Sequence, residues 1–133
     1  MDYEYKIYRV LNFGVAIFNP GYKTFKELFE LAKLIRKDKN FSKIRYQIVD
    51  LRGCKFDLKE SMFRELLELV YKYCELDNLE CVVYIVNSPI ETAYLQIFCL
   101  ELPNRKICST MKGAYHLLNL PISYDKFKNL IAV

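Results

Sequence analysis

One histidine, five cysteines and a scatter of carboxylates are where covalent chemistry in this chain would have to begin. A nucleophile–base pair would join His116 to a cysteine, and a Ser-His-Asp triad would compete for the same ring. His116 falls in Tyr115-His116-Leu117-Leu118, inside a helical pattern and away from the strand-to-helix corners. It reads as a surface or half-covered helix residue. Glu65 and Glu68 stand on a helix whose apolar face is elsewhere. Only four glycines occur, and none forms a phosphate-cradling loop. Cys54, Cys74, Cys81, Cys99 and Cys108 contain no C-x-x-C pair, and a single histidine adds little toward a zinc set. The reading therefore assigns no catalytic residue, no metal ligand and no cofactor, and it predicts a protein that is not an enzyme.

Binding chemistry has better material. Tyr46-Gln47-Ile48-Val49-Asp50-Leu51 is an apolar strand that runs into an acidic loop and then a long amphipathic helix. In open α/β proteins the carboxyl ends of such strands receive ligands and partners. The rim built there should collect Asn19, Gly21 and Tyr22 after the second strand, and Asp50 and Arg52 after the third. Asn87 and Ser88 follow the fourth strand, and Ser109 and Thr110 the fifth. Helix N-termini pointing at such a crevice favour a small anion or phosphate. The same residue types are also what every strand-to-helix corner uses for capping, and capping is the stronger reading. Asp50 and Arg52 could form a charged hook for a partner, but a strand-end Asp more commonly caps loop N–H groups.

The elements that would position this rim come in a legible order. Residues 3–11 alternate with period two, Asn12-Phe13-Gly14 turns, and Val15 to Phe18 pairs back as a hairpin. Thr24 with Glu27 is a capping box, followed by Phe25, Leu28, Phe29, Ala32 and Ile35 at helical spacing. A strand near 45–51 comes next, parallel to the second if the crossover is right-handed. Asp57 with Glu60 should start the second helix, with Met62, Phe63, Leu66, Leu67, Val70, Tyr73 and Cys74 on its buried face. Cys81 to Val86 is an unbroken apolar run suited to a central strand. Ser88-Pro89-Ile90-Glu91 is a helix start, with Ala93, Tyr94, Ile97 and Phe98 in the body and Pro103 beyond its end. Arg105 to Cys108 is a short strand, Thr110 opens a helix through Leu118, and residues 122–131 allow a terminal helix. Ile48, Val49, Val83 and Ile85 should be nearly fully buried. Tyr71, Tyr73 and Tyr94 fit the core better than an exposed stripe. The fold class is α/β, a mixed sheet of about five strands in the order β-β-α-β-α-β-α-β-α with helices packed on it.

A chain of 133 residues, 53% hydrophobic and 27% charged, fits one globular domain, with its core in 5–120 and a tail in 121–133. Charged residues interrupt every apolar run, so membrane insertion is not expected. The net charge of +4 is spread along helices, and Lys33 to Lys43 is broken by Asp38, too sparse for a nucleic-acid footprint. The acidic start Met1-Asp2-Tyr3-Glu4 lacks the pattern of a secretion signal, and an odd cysteine count fits reduced thiols in a cytoplasm.

Four features resemble the STAS domains (sulfate transporter and anti-sigma-factor antagonist). They are the opening hairpin, Ile48-Val49-Asp50-Leu51-Arg52, the turn Val86-Asn87-Ser88-Pro89, and Ala114-Tyr115-His116-Leu117-Leu118 near the end. The chain looks most like a bacterial STAS-like branch that is also compared with lipid-binding domains. The resemblance implies a non-enzymatic regulatory or protein-interaction module, with an unidentified protein partner and a homodimer allowed. Its regulatory members carry a phosphorylated Ser at the helix start, where this chain has Leu58-Lys59 after Asp57 and its nearest hydroxyl at Ser61. Constitutive partner binding, without phosphorylation across 57–61, is therefore expected. The alternative is a carrier or sensor with a lipid or small anionic ligand between sheet and helix.

Overall fold

The opening hairpin sets the edge of the sheet. A computed structural model describes residues 3–74 and 78–132. Strand β1 (Tyr3–Tyr8) pairs antiparallel with β2 (Phe13–Phe18). The first strand is shorter than its alternation suggested, because Arg9–Leu11 coil into a 3-10 turn closed by Asn12 in the left-handed conformation, φ 52°. The Asn12 carbonyl then accepts the Arg45 and Tyr46 N–H groups, which starts β2 at Phe13 rather than Val15.

Strands β4 (Tyr46–Asp50), β6 (Cys81–Ile85) and β7 (Arg105–Cys108) add in parallel, giving the spatial order β1-β2-β4-β6-β7. Each new strand joins on the same side of the last. Right-handed crossovers in one direction put every crossover helix on one face. That face carries α1 (Phe25–Lys37), α2 (Glu60–Cys74) and α3 (Pro89–Glu101), packed over Ala16, Phe18, Val82 and Tyr84. The opposite face is covered by α4 (Met111–Leu118) and α5 (Tyr124–Ile131), which forms in the tail and buries Phe127 completely. The fold is α/β, a mixed five-stranded sheet with helices on it.

Two strands were not foreseen. β3 (Gly21–Thr24) and β5 (Cys54–Asp57) pair in parallel as a separate sheet. They continue β2 and β4 past a bend, so the stretch read as an acidic loop is partly strand. Gly53, φ 77°, makes the bend, and a Cβ there would come 3.0 Å from the Pro20 side chain. Asp57 ends β5 instead of capping α2, which begins at Glu60. Ser61 is thus the second residue of α2 and exposed, and the first α2 bond runs from Phe63 N–H to the Lys59 carbonyl. The Ser61 N–H therefore lies in the first turn of α2, ahead of the first helix bond.

The helix faces also shift in detail. α1 carries the Thr24–Glu27 capping box as expected, but buries Leu31 with Ile35. Met62 of α2 is exposed, and α3 buries Leu95 and Phe98 while Ala93 and Ile97 face outward. Tyr71 is exposed; Tyr73 and Tyr94 are half-buried. Ile48, Val83 and Ile85 are fully buried, but Val49 is only half-buried.

Candidate functional site

At the strand ends, Asp50 and Arg52 bond to each other, while Asn87, Ser88 and Thr110 bond to nearby backbone. Asp50 is buried and accepts from the Arg52 backbone N–H at 3.1 Å, from Nε at 3.0 Å and from a terminal guanidinium nitrogen at 2.8 Å. The hook therefore closes on itself and caps the loop at once. Asn87 Oδ1 accepts from the Gly53 N–H at 3.1 Å, tying β6 to the bend before β5. Ser88 is buried and its hydroxyl donates to the Cys54 carbonyl at 3.4 Å. Thr110 Oγ1 accepts from the Gly113 N–H at 2.9 Å as the cap of α4. Asn19 and Ser109 are exposed, and Tyr22 stands on β3, paired with Lys55, with 78% of its surface exposed. Asn87, Ser88 and Ser109 share an open groove with Thr92 and Gln96 beside α3. The strand order explains this layout. Ligand crevices open where successive strands leave in opposite directions, and in β2-β4-β6-β7 the order never reverses. The β3–β5 sheet covers the ends of β2 and β4.

Glu91 does something that capping rules did not suggest. It is 2% exposed, and its Oε2 accepts the Phe56 N–H of β5 at 3.0 Å while Oε1 lies 4.0 Å from Lys55 Nζ. A side-chain carboxylate thus satisfies an edge of a two-stranded sheet that has no third strand. Burial raises its pKa, but the Phe56 N–H, the Ser88 hydroxyl, its own backbone N–H and the Lys55 charge together outweigh burial and hold it below the usual value.

A smaller, more apolar concavity lies between the sheet and α1–α3. It is a cavity of about 110 Å³, with walls almost wholly apolar, from Phe18 and Val49 on the sheet to Leu28, Phe63, Leu66 and Phe98 on the helices. Val49 is half-buried because it looks into this space. Besides Tyr84 and Tyr94, the polar side chains Gln47, Arg36 and Arg105 line it. Gln47 and Arg105 pair with Val82 from either side, so they lie in one row across the amino ends of β4, β6 and β7. Gln47 is 5% exposed and its Oε1 accepts from the Tyr5 hydroxyl at 3.4 Å. Gly14, the β2 partner of Gln47, makes room for that hydroxyl, since a Cβ there would lie 2.8 Å from it. Burial pushes the Tyr5 pKa up, with Asp38 adding and Arg36 opposing, which brings both charges to the same end. Arg105 bonds the Pro103 carbonyl at 3.0 Å and opposes the burial-driven rise of the Tyr84 pKa. This end of the cavity was missed in the sequence. The signal available was a Gln and an Arg at the start of otherwise apolar strands.

His116 is exposed on α4, with Tyr115 as its ring neighbour. All five cysteines are thiols, Cys54 and Cys81 buried and the other three half-buried. Burial pushes the thiols of Cys81, Cys99 and Cys108 up, away from the reactive thiolate. Among the described residues, no group of three or more His, Cys, Asp or Glu could hold a metal ion, and no helix is long and apolar enough to cross a membrane. Compared with known proteins, the chain matches no family model and no curated protein.

Proposed function

We propose that this protein is a non-catalytic binding module that carries or senses a small, mostly apolar molecule held between the sheet and α1–α3. The cavity supports the reading. Natural cores pack to near-crystalline density, with few voids larger than a water molecule. A dry cavity on the order of 150 Å³ lined by Leu, Ile and Phe holds benzene. A space of about 110 Å³ with aromatic and aliphatic walls and a few polar groups at one end has the make-up of a ligand pocket. Native mass spectrometry and solvent extraction of protein purified from its own cells test the proposal. The expected result is an apolar small molecule released on denaturation. The reading is overturned if no such mass is found and 1-hexanol produces no rise in the melting temperature.

A STAS-like partner-docking module is the second reading, favoured by the outward side of α3. Ile90, Ile97 and Leu100 recur at helical spacing with 67%, 39% and 85% of their surface exposed. Both readings suit a reducing compartment such as the cytoplasm.

A further inference from the structure

Independently of the cavity, we propose that two copies of this chain pair antiparallel through the outer edge of β1, joining their sheets into one. The five-stranded sheet has two edges, β1 and β7, and among the described residues no strand pairs with the outer side of either. Alternate N–H and C=O groups of an edge strand point away from the sheet, which makes it a template for another strand. Proteins blunt such edges with short strands, proline, bulges or charge. β7 is blunted, with four residues of which two are Arg105 and Lys106. β1 is not. It runs for six residues, Tyr-Glu-Tyr-Lys-Ile-Tyr, without proline or glycine, and its register with β2 is unbroken from Tyr3 to Tyr8.

The side chains of β1 select a second copy as the occupant. Strand alternation sends Tyr3, Tyr5 and Ile7 to the α1–α3 face, where they pack against the core. Glu4 and Lys6 point to the other face and are exposed. A two-fold axis through the sheet keeps the two faces matched only where one residue of β1 sits opposite itself. Centring on Glu4 sets carboxylate against carboxylate, and centring on Lys6 sets ammonium against ammonium; like charges directly opposite are destabilising. Centring on Tyr5 sets Glu4 against Lys6 of the second copy, twice by symmetry. The same register sets Tyr3 against Ile7 and Tyr5 against its counterpart, pairs of the aromatic and β-branched kind that stabilise sheets. Centres nearer either end overlap less of β1. Lys6 has contacts within its own chain, and the register asks only for the sign of its charge. A ladder from Tyr3 to Ile7 is a small interface, so the dimer should be weak and concentration-dependent.

Sedimentation equilibrium of the intact protein from ~1 μM to ~1 mM tests this, with amide hydrogen exchange measured at both ends of the range. The expected result is a reversible dimer in which residues 3–8 gain protection as the protein is concentrated. Glu4→Lys alone and Lys6→Glu alone should each weaken it at least ~10-fold, because both symmetric pairs turn repulsive. An equimolar mixture of the two variants should dimerise again as the heterodimer, since opposite signs then face each other at both pairs. Should either variant fail to fold, the exchange comparison on the unaltered protein decides alone. A protein that stays monomeric throughout overturns the proposal and leaves the edge to a strand of a different chain. A dimer whose β1 amides gain no protection, or one indifferent to both substitutions, overturns it as well.

Discussion

Along β4, Ile48 and Val49 are chain neighbours that point to opposite faces of the sheet and meet different environments. Ile48 is fully buried with Phe13, Val83, Ile85 and Phe127 under α4 and α5. Val49 is half-buried and looks into the cavity beneath α1, α2 and α3. Two short helices fit closely against the sheet, aided by Phe127 against Phe13 and Tyr115. On the other side Phe63 of α2 meets Tyr94 and Phe98 of α3 in tilted and edge-on contacts, and Phe98 also meets Tyr84 of the sheet. One face thus acts as the stable platform and the other as a wall with room behind it. Tight packing and an open space are hard to build on the same surface, and this fold separates them by face.

The harshest way to break the comparison is to charge the platform. Val83→Asp should unfold the domain, because an unpaired buried carboxylate costs several kcal/mol against a total stability of about 5–15 kcal/mol. Circular dichroism through a denaturant series decides it, and a soluble, cooperatively folding variant would contradict the platform's role.

A second test addresses how the looser face is held. Glu91 pins the start of α3 to β5, so Glu91→Ala should cost about 1–3 kcal/mol by leaving the Phe56 N–H without its acceptor. The folded carboxyl has a pKa below its ordinary 4.5, so its contribution is present above that value and fades as pH falls through the folded pKa. Glu91→Gln keeps an acceptor oxygen and should flatten the acid limb of the stability curve while changing neutral stability less than Glu91→Ala does. An unchanged acid limb in Glu91→Gln would remove Glu91 as the cause.

A like-for-like pair sharpens the contrast further. Val83→Ala should cost about 2 kcal/mol and Val49→Ala about 1 kcal/mol, since a side chain beside a void has fewer contacts to lose. Equal costs in urea denaturation would mean that the two faces are packed alike.

The smallest effect is on thiol chemistry. Cys54 and Cys81 should label last in native protein, and half-buried Cys74, Cys99 and Cys108 sooner, though slowly where burial raises the pKa. Mass spectrometry of partially alkylated protein gives the order. Fast labelling at Cys81 would mean that the platform opens more readily than proposed.

Local pattern determined much of this protein. Period-two alternation, the Thr24–Glu27 box, Ser88-Pro89 and the run Cys81 to Val86 were enough for the order of the five main strands and the helices between them, the parallel crossovers and the α/β class, because each depends on neighbours within a few residues. The rim residues were named by the same logic, as strand-end polar groups. Tertiary structure alone decided what those groups do. Asp50 turns to Arg52, Asn87 to Gly53 and Glu91 to Phe56, and the last two partners lie 34 and 35 positions away in sequence. Short β3 and β5 were illegible because Gly-Tyr-Lys-Thr and Cys-Lys-Phe-Asp carry little pattern of their own; each is a strand because the other lies beside it. The cavity could not be read either. Val49 looks like any core valine, and only the distance at which three helices settle over the sheet makes it part of a wall.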